Sequence, residues 1–199
     1  MTNRNYRYFF MTIFDSLIAI CWFIFICVWI FYSSKVKKNI RENDHRRYPL
    51  IRLIITTTVV ILLFNIKGLQ YLASYHIFPS NNLVQGIGVL ICTTGISFAI
   101  WARVVLGRNW GMPMQLKEKP DLVTTGPYYL IRHPIYTGIL IAMFGSMVAT
   151  GFMWLVWFLL FSTSFVFSAK KEEKHMLAQF PKEYAEYMKR TKMLIPFLF

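Results

Sequence analysis

Five runs of hydrocarbon side chains govern what this chain can fold into. The first, from about Phe9 to Tyr32, holds a single charged residue, Asp15. In lipid every backbone N–H and C=O must find its partner inside the chain, so such a run has to be helical. The others extend from about Leu50 to Ile66 or as far as Ala73, from Leu83 to Leu106, from Ile135 to Thr150, and from Phe152 to Ser168. A helix needs about 20 residues to cross the hydrocarbon, and as few as about 17 in a thin or distorted bilayer, so the last two are short but feasible spans. Only Gly151 separates them, which predicts a tight antiparallel hairpin. A chain that is 56% hydrophobic and 18% aromatic agrees. The expected fold class is an all-α polytopic membrane protein with about five transmembrane helices.

Lysine and arginine set the orientation. The connector from Ser33 to Pro49, SSKVKKNIRENDHRRYP, carries six of them, whereas Ser74 to Asn82, SYHIFPSNN, carries none. The first should be cytoplasmic and the second external. Five crossings then put the N-terminus outside, and the Gly107 to Pro134 loop and the Lys-rich C-terminus inside. Arg4 and Arg7 pull the other way, but the first connector, Arg103, Arg108 and the tail outweigh them.

The net charge of +13 raises nucleic acid as a partner. However, the basic residues sit in short connectors beside apolar runs, where lipid head groups account for them, and no nucleic-acid motif accompanies them. Membrane lipids are the expected partners. Cys21, Cys27 and Cys92 lie inside apolar runs with no CxxC pair or His/Cys spacing, so they read as small buried hydrophobes and no metal is expected. The first run is too long for a signal-peptide core and ends in SSKVKK without a small-residue cleavage site, which reads as a retained anchor. Gly86, Gly88 and Gly95 are expected to let the third helix pack closely. With no repeats or low-complexity segments, residues 1–199 read as one integral membrane domain.

Against this background Gly126 to Gly138, GPYYLIRHPIYTG, is unusually polar. Proline biases His133 toward an extended backbone and is itself suited to open the fourth helix. Arg132 and His133 then sit at a cytoplasmic helix N-terminus, where unpaired N–H groups and a forked guanidinium favour a carboxylate or phosphate. Tyr136 follows His133 by three, so the two rings share a side of the helix. On the same membrane face lies the tail, AKKEEKHMLAQFPKEYAEYMKRT, a helix continuing out of the fifth run and expected to break near Phe180-Pro181 and restart with Pro181 in its first turn. Its Met176, Leu177, Phe180, Tyr184, Tyr187 and Met188 can lie on the loop or on lipid. Each item also has a plainer explanation. Arg132 can be an interfacial anchor, the tyrosines interfacial aromatics, His133 a hydrogen-bonded structural residue, and Glu172-Glu173 a solvated charge run.

DLVTTGPYYLIRHPIYTG, followed after a hairpin by EE and then by FPKEYAEYMKRTKMLIPF, resembles the isoprenylcysteine carboxyl methyltransferase family and its phospholipid methyltransferase relatives. The similarity covers roughly Trp101 to Phe197, while residues 1–82 carry no recognised signature. What it implies is a methyltransferase-like core over residues 83–199, using S-adenosylmethionine in a cytoplasmic site formed by the loop and the C-terminal helix. By motif, Gln115, Leu122, Val123, Tyr128, His133, Pro134, Tyr136 and Glu172 resemble the cofactor cradle. Arg132, Glu172 and Glu173 are the residues implied for catalysis. Where the family tends to place a substrate-binding arginine one turn before the glutamate, this chain has Ser168, leaving Lys170, Lys171 or Arg132 to supply that charge. The implied acceptor is a lipophilic small molecule or lipid-modified substrate, with carboxyl methylation of an isoprenylcysteine-like group in the lead. Three alternatives stay open: N-methylation of a phospholipid amine, a nicotinamide-dependent membrane reductase of similar architecture, and a non-enzymatic scaffold.

Overall fold

Asn81 starts the central helix by accepting the Val84 N–H on its side chain at 2.9 Å. That detail belongs to a computed structural model that describes residues 13–33, 75–109 and 121–195. The second apolar run, the first basic connector and Gln115 lie outside the described residues. Helix α1 spans Ile13–Ser33, α2 Asn82–Leu106, α3 Pro134–Thr150, α4 Phe152–Gln179 and α5 Glu183–Arg190. Among the described residues there is no β-strand beyond a single parallel bridge between Ile131 and Lys192. Helices α1, α2 and α4 are long and apolar enough to cross a membrane, and α3 is a shorter apolar helix.

The α2–α3 pair forms the centre of the bundle. Gly88 and Gly95 on α2 face Gly138 and Gly145 on α3, and the backbones approach so closely that no Cβ fits. One added at Gly88 would lie 2.5 Å from the Ala149 nitrogen, and one at Gly138 would lie 2.6 Å from that of Ala99. Gly86 differs from the expectation, because a Cβ there would meet nothing within 4 Å. Helix α1 lays Ile18, Cys21, Trp22 and Phe25 over this seam against Cys92, Ile96, Ala142 and Ala149. Trp22 donates its indole N–H to Ser146 at 3.0 Å, giving the buried hydroxyl a partner.

Gly151 turns the chain from α3 into α4 at φ 116°, a conformation that favours glycine. The Phe152 N–H is taken up by the Tyr75 carbonyl at 3.0 Å, which docks the turn on the segment entering α2. Helix α4 continues well past Ser168, where the hydrocarbon run ends, because Lys170 to Gln179 are good helix formers. Its 28 residues reach about 42 Å, against about 30 Å of hydrocarbon. The 17 residues of α3 reach only about 25 Å. Since the two helices leave Gly151 side by side, α4 overshoots α3 and carries Glu172 and Glu173 up beside the loop that precedes Pro134. The Phe180 N–H closes α4 on Met176 at 2.8 Å. Pro181 and Lys182 form the turn, and α5 begins at Glu183 rather than with Pro181 in its first turn.

Candidate active site

The loop before α3 is folded onto the end of α2. Gly126, at φ 60°, opens a short 3-10 turn, Gly126–Tyr129, that buries Pro127 and Tyr128. Tyr128 packs with Ala102 and Ile135, and Val123 lies against the same cluster. Leu122 is half-buried. Beneath them the wholly buried Arg103 donates to the carbonyls of Gly107 at 2.8 Å and Tyr32 at 2.9 Å. Its guanidinium lies over the Tyr32 ring at 5.3 Å, fastening α1 to the floor of the loop.

His133 is the N-cap of α3, at φ −124° and ψ 59° rather than in the extended conformation expected before proline, and 8% of its side chain is exposed. Its Nδ1 lies 3.3 Å from Glu172 Oε2 and its Nε2 3.4 Å from Glu173 Oε1. The second contact is off the direction a hydrogen bond needs, so Nε2 is buried without a hydrogen-bond partner. Burial of the ring opposes its positive charge, but the two carboxylates outweigh burial and hold the imidazole above its ordinary pKa of 6.5. Tyr136 stacks on His133 at 5.6 Å and on Phe165 at 4.4 Å, with its hydroxyl donating to Glu172. Glu172 is the more accessible carboxylate, 28% exposed against 9% for Glu173.

Arg132 faces the chain's own tail. Its Nε donates to Glu173 Oε1 at 2.6 Å, and its Nη1 to the Thr191 carbonyl at 2.5 Å. The residues after α5 run parallel to the loop. The Arg132 N–H reaches the Lys192 carbonyl at 2.8 Å, the His133 N–H reaches Met193 at 3.1 Å, and the Thr137 hydroxyl reaches Leu194 at 2.6 Å. Tyr187, on the buried face of α5, donates to the Tyr128 carbonyl at 2.5 Å. The amphipathic face of α5 therefore lies on the loop rather than on lipid.

The structure thus brings His133, Tyr136, Glu172, Glu173 and Arg132 into direct contact. Tyr128, Leu122 and Val123 belong to the loop that leads to Arg132 and His133, and Pro134 opens α3, while Gln115 lies outside the described residues. Ser168 is half-buried, and Lys170 and Lys171 are exposed where α4 emerges. Sequence reasoning passed over Phe165 and Thr191, and named Tyr187 only for the apolar face of the tail and Arg103 only for its charge. Thr191 acts chiefly through its main chain, which leaves no trace in residue type.

Comparison with known proteins agrees with this architecture. The chain is 26% identical to protein-S-isoprenylcysteine O-methyltransferase B of Arabidopsis thaliana, over 88% of this chain and 92% of that protein. It is 25% identical to a probable protein-S-isoprenylcysteine O-methyltransferase of Oryza sativa subsp. indica, over 90% and 97% of the two chains. Its fold matches a eukaryotic intramembrane Ras methyltransferase, isoprenylcysteine carboxyl methyltransferase, with a TM-score of 0.50 at 18% identity. That match covers 92% of this chain and 68% of the other. Residues 84–183 match the phospholipid methyltransferase family. The chain belongs to that family and is an integral membrane methyltransferase with an isoprenylcysteine carboxyl methyltransferase-like fold.

Proposed function

We propose that this chain methylates the carboxylate of an S-prenylated cysteine, with S-adenosylmethionine as the donor and the reaction at the cytoplasmic membrane boundary. The observation that carries this reading is the convergence of His133, Tyr136 and Glu172 where α4 overshoots α3. The residues suit this cofactor. Glu172 is the accessible acid and can pair with an ammonium group, while Tyr136 offers a ring to a sulfonium. The buried Nε2 of His133, with no hydrogen-bond partner, adds a polar contact. Leu122 and Val123 supply backbone and apolar contact on the adenine side, Tyr128 a further ring, and Pro134 fixes the backbone of His133. Gln115 completes this set by motif, and residues 83–199 form its methyltransferase core. When bound, S-adenosylmethionine supplies a methyl group on a sulfonium that is already a good leaving group. The chain's share is to align an acceptor with that methyl and to exclude water. Such positioning contributes up to about 7–11 kcal/mol in favourable cases. A carboxylate arrives nucleophilic and needs no base. Arg132 and Glu173 act by positioning, since each is committed to the other.

A second reading, methylation of a phospholipid amine, is favoured by Glu172, the accessible carboxylate beside His133. An amine must lose a proton before attack, and Glu172 is placed to accept it. Binding of labelled S-adenosylmethionine and of NADPH to the purified chain tests the common ground of both. Micromolar binding of the first, weakened about ten- to a hundredfold by Glu172→Gln, is expected from loss of one charge-assisted contact. Binding of NADPH in its place would make the chain a reductase.

A further inference from the structure

Arg103 is a cation with no exposed surface, placed one turn before the end of α2. An arginine that merely anchored a helix at the lipid boundary would snorkel toward water. This one is turned inward and binds two helix ends at once. Its Nη1 donates to the Gly107 carbonyl at 2.8 Å and its Nη2 to the Tyr32 carbonyl at 2.9 Å. Gly107 is gripped from both sides, since its own N–H donates to the Arg103 carbonyl. At φ 54° and ψ −126°, it is the glycine on which the chain turns away from α2. Tyr32 lies one residue before the end of α1, where the last carbonyls lack partners along the helix and the dipole favours a cation. One guanidinium therefore holds the ends of α1 and α2 together.

The residues offered to the methyl donor rest on this joint. The guanidinium lies 5.8 Å from the Trp29 ring, and Trp29, like Val123 and Tyr136, packs against the cluster of Ala102, Tyr128 and Ile135. At Gly126 the loop lies so flat on α2 that an added Cβ would come 3.1 Å from Val105. We infer that Arg103 is a positioning residue for the methyl donor: by tying the end of α1 to the turn out of α2, it fixes the platform on which Val123 and Tyr128 are presented. The inference rests on the methyl-transfer reading above. It also gives α1, which belongs to the part of the sequence without a family signature, a share in the donor site.

The test uses the full chain in lipid nanodiscs and S-adenosylhomocysteine, which binds without reacting. Arg103→Lys keeps the charge but reaches one carbonyl instead of two, and should weaken binding about tenfold, the worth of one charge-assisted hydrogen bond. Gly107→Ala leaves the guanidinium in place and strains the turn it grips, and should weaken binding about fivefold, so the inference does not hang on one variant folding. In the ligand-free protein, amide hydrogen exchange should quicken in the peptide from Asp121 to Ile131 and in the last turn of α1, and stay slow in α3. At saturating donor, KM for S-farnesylcysteine should change by less than about twofold in either variant. Gly95→Ala strains the α2–α3 seam instead, and should lower stability while leaving S-adenosylhomocysteine affinity as in wild type. Unchanged affinity in both Arg103→Lys and Gly107→Ala, an equal loss in Gly95→Ala, or quickened exchange spread evenly over the bundle would overturn the inference. A wild-type chain that binds no S-adenosylhomocysteine would sink the methyl-transfer reading, and the donor role of Arg103 with it.

Discussion

Replacing Arg132 by alanine should unfasten the tail from the loop. The guanidinium holds Glu173 at 2.6 Å and the Thr191 carbonyl at 2.5 Å, and only 8% and 9% of the two charged side chains are exposed. Removing one member of a buried pair costs about 3–5 kcal/mol, because the other charge stays behind unpaired. His133 lies 3.4 Å from the same carboxylate oxygen and compensates in part, which places Arg132→Ala near the lower end, about 3 kcal/mol. Lysine keeps the charge but lacks the fork. It can hold the carboxylate or the carbonyl, so Arg132→Lys should lose about 1.5–3 kcal/mol. Equilibrium unfolding in detergent micelles measures both, and Glu173→Gln completes a double-mutant cycle. The two sites should couple by at least about 1 kcal/mol. Strict additivity, or an alanine variant as stable as wild type, would refute the clamp and return Arg132 to an interfacial anchor.

Three further outcomes follow from the same geometry. The raised pKa of His133 means that its protonated form is stabilised by folding. Its contribution is full below the ordinary value of 6.5 and is lost as pH rises through the higher folded value. Glu172→Gln should move the His133 titration to lower pH, followed by NMR of labelled histidine; an unmoved titration would contradict the pairing. Gly95→Ala, whose Cβ would sit 2.6 Å from the Gly138 carbonyl oxygen, should destabilise by about 1–3 kcal/mol. Gly86→Ala, facing open space, should be neutral or stabilising by up to about 1 kcal/mol, and thermal unfolding of the two compares them. In a variant lacking the native cysteines, a cysteine at Asn81 should react with an impermeant reagent from outside and one at Lys182 should be protected; the reverse would invert the proposed orientation.

The parts of this fold that depend on side-chain chemistry were legible in the sequence. Hydrocarbon runs separated by Gly151 dictated the α3–α4 hairpin, and proline after His133 marked the start of α3. RHPIY and the tail glutamates were legible as a candidate site, and the structure places His133, Tyr136 and Glu172 side by side. The hydrocarbon run stops at Ser168, but the tail read as a helix continuing out of it to a break near Phe180-Pro181, and α4 does run on to Gln179. That overshoot decides which residues meet Glu172. The strap from Thr191 to Leu194 was hidden because its bonds to Arg132 and His133 run mostly through the main chain. Arg132 seemed available to an acceptor, since nothing in residue order shows Thr191 folding back onto it. Phe165 was indistinguishable from the hydrocarbon around it until Tyr136 was found stacked on its face.

The most direct measurement incubates the purified chain in nanodiscs with methyl-labelled S-adenosylmethionine, S-farnesylcysteine and phosphatidylethanolamine, and identifies the labelled product. Carboxyl methylation predicts label on the farnesylcysteine, released as methanol by mild base, and lost in Glu172→Gln. Base-stable label on the phospholipid amine, or no transfer to either acceptor, would contradict it.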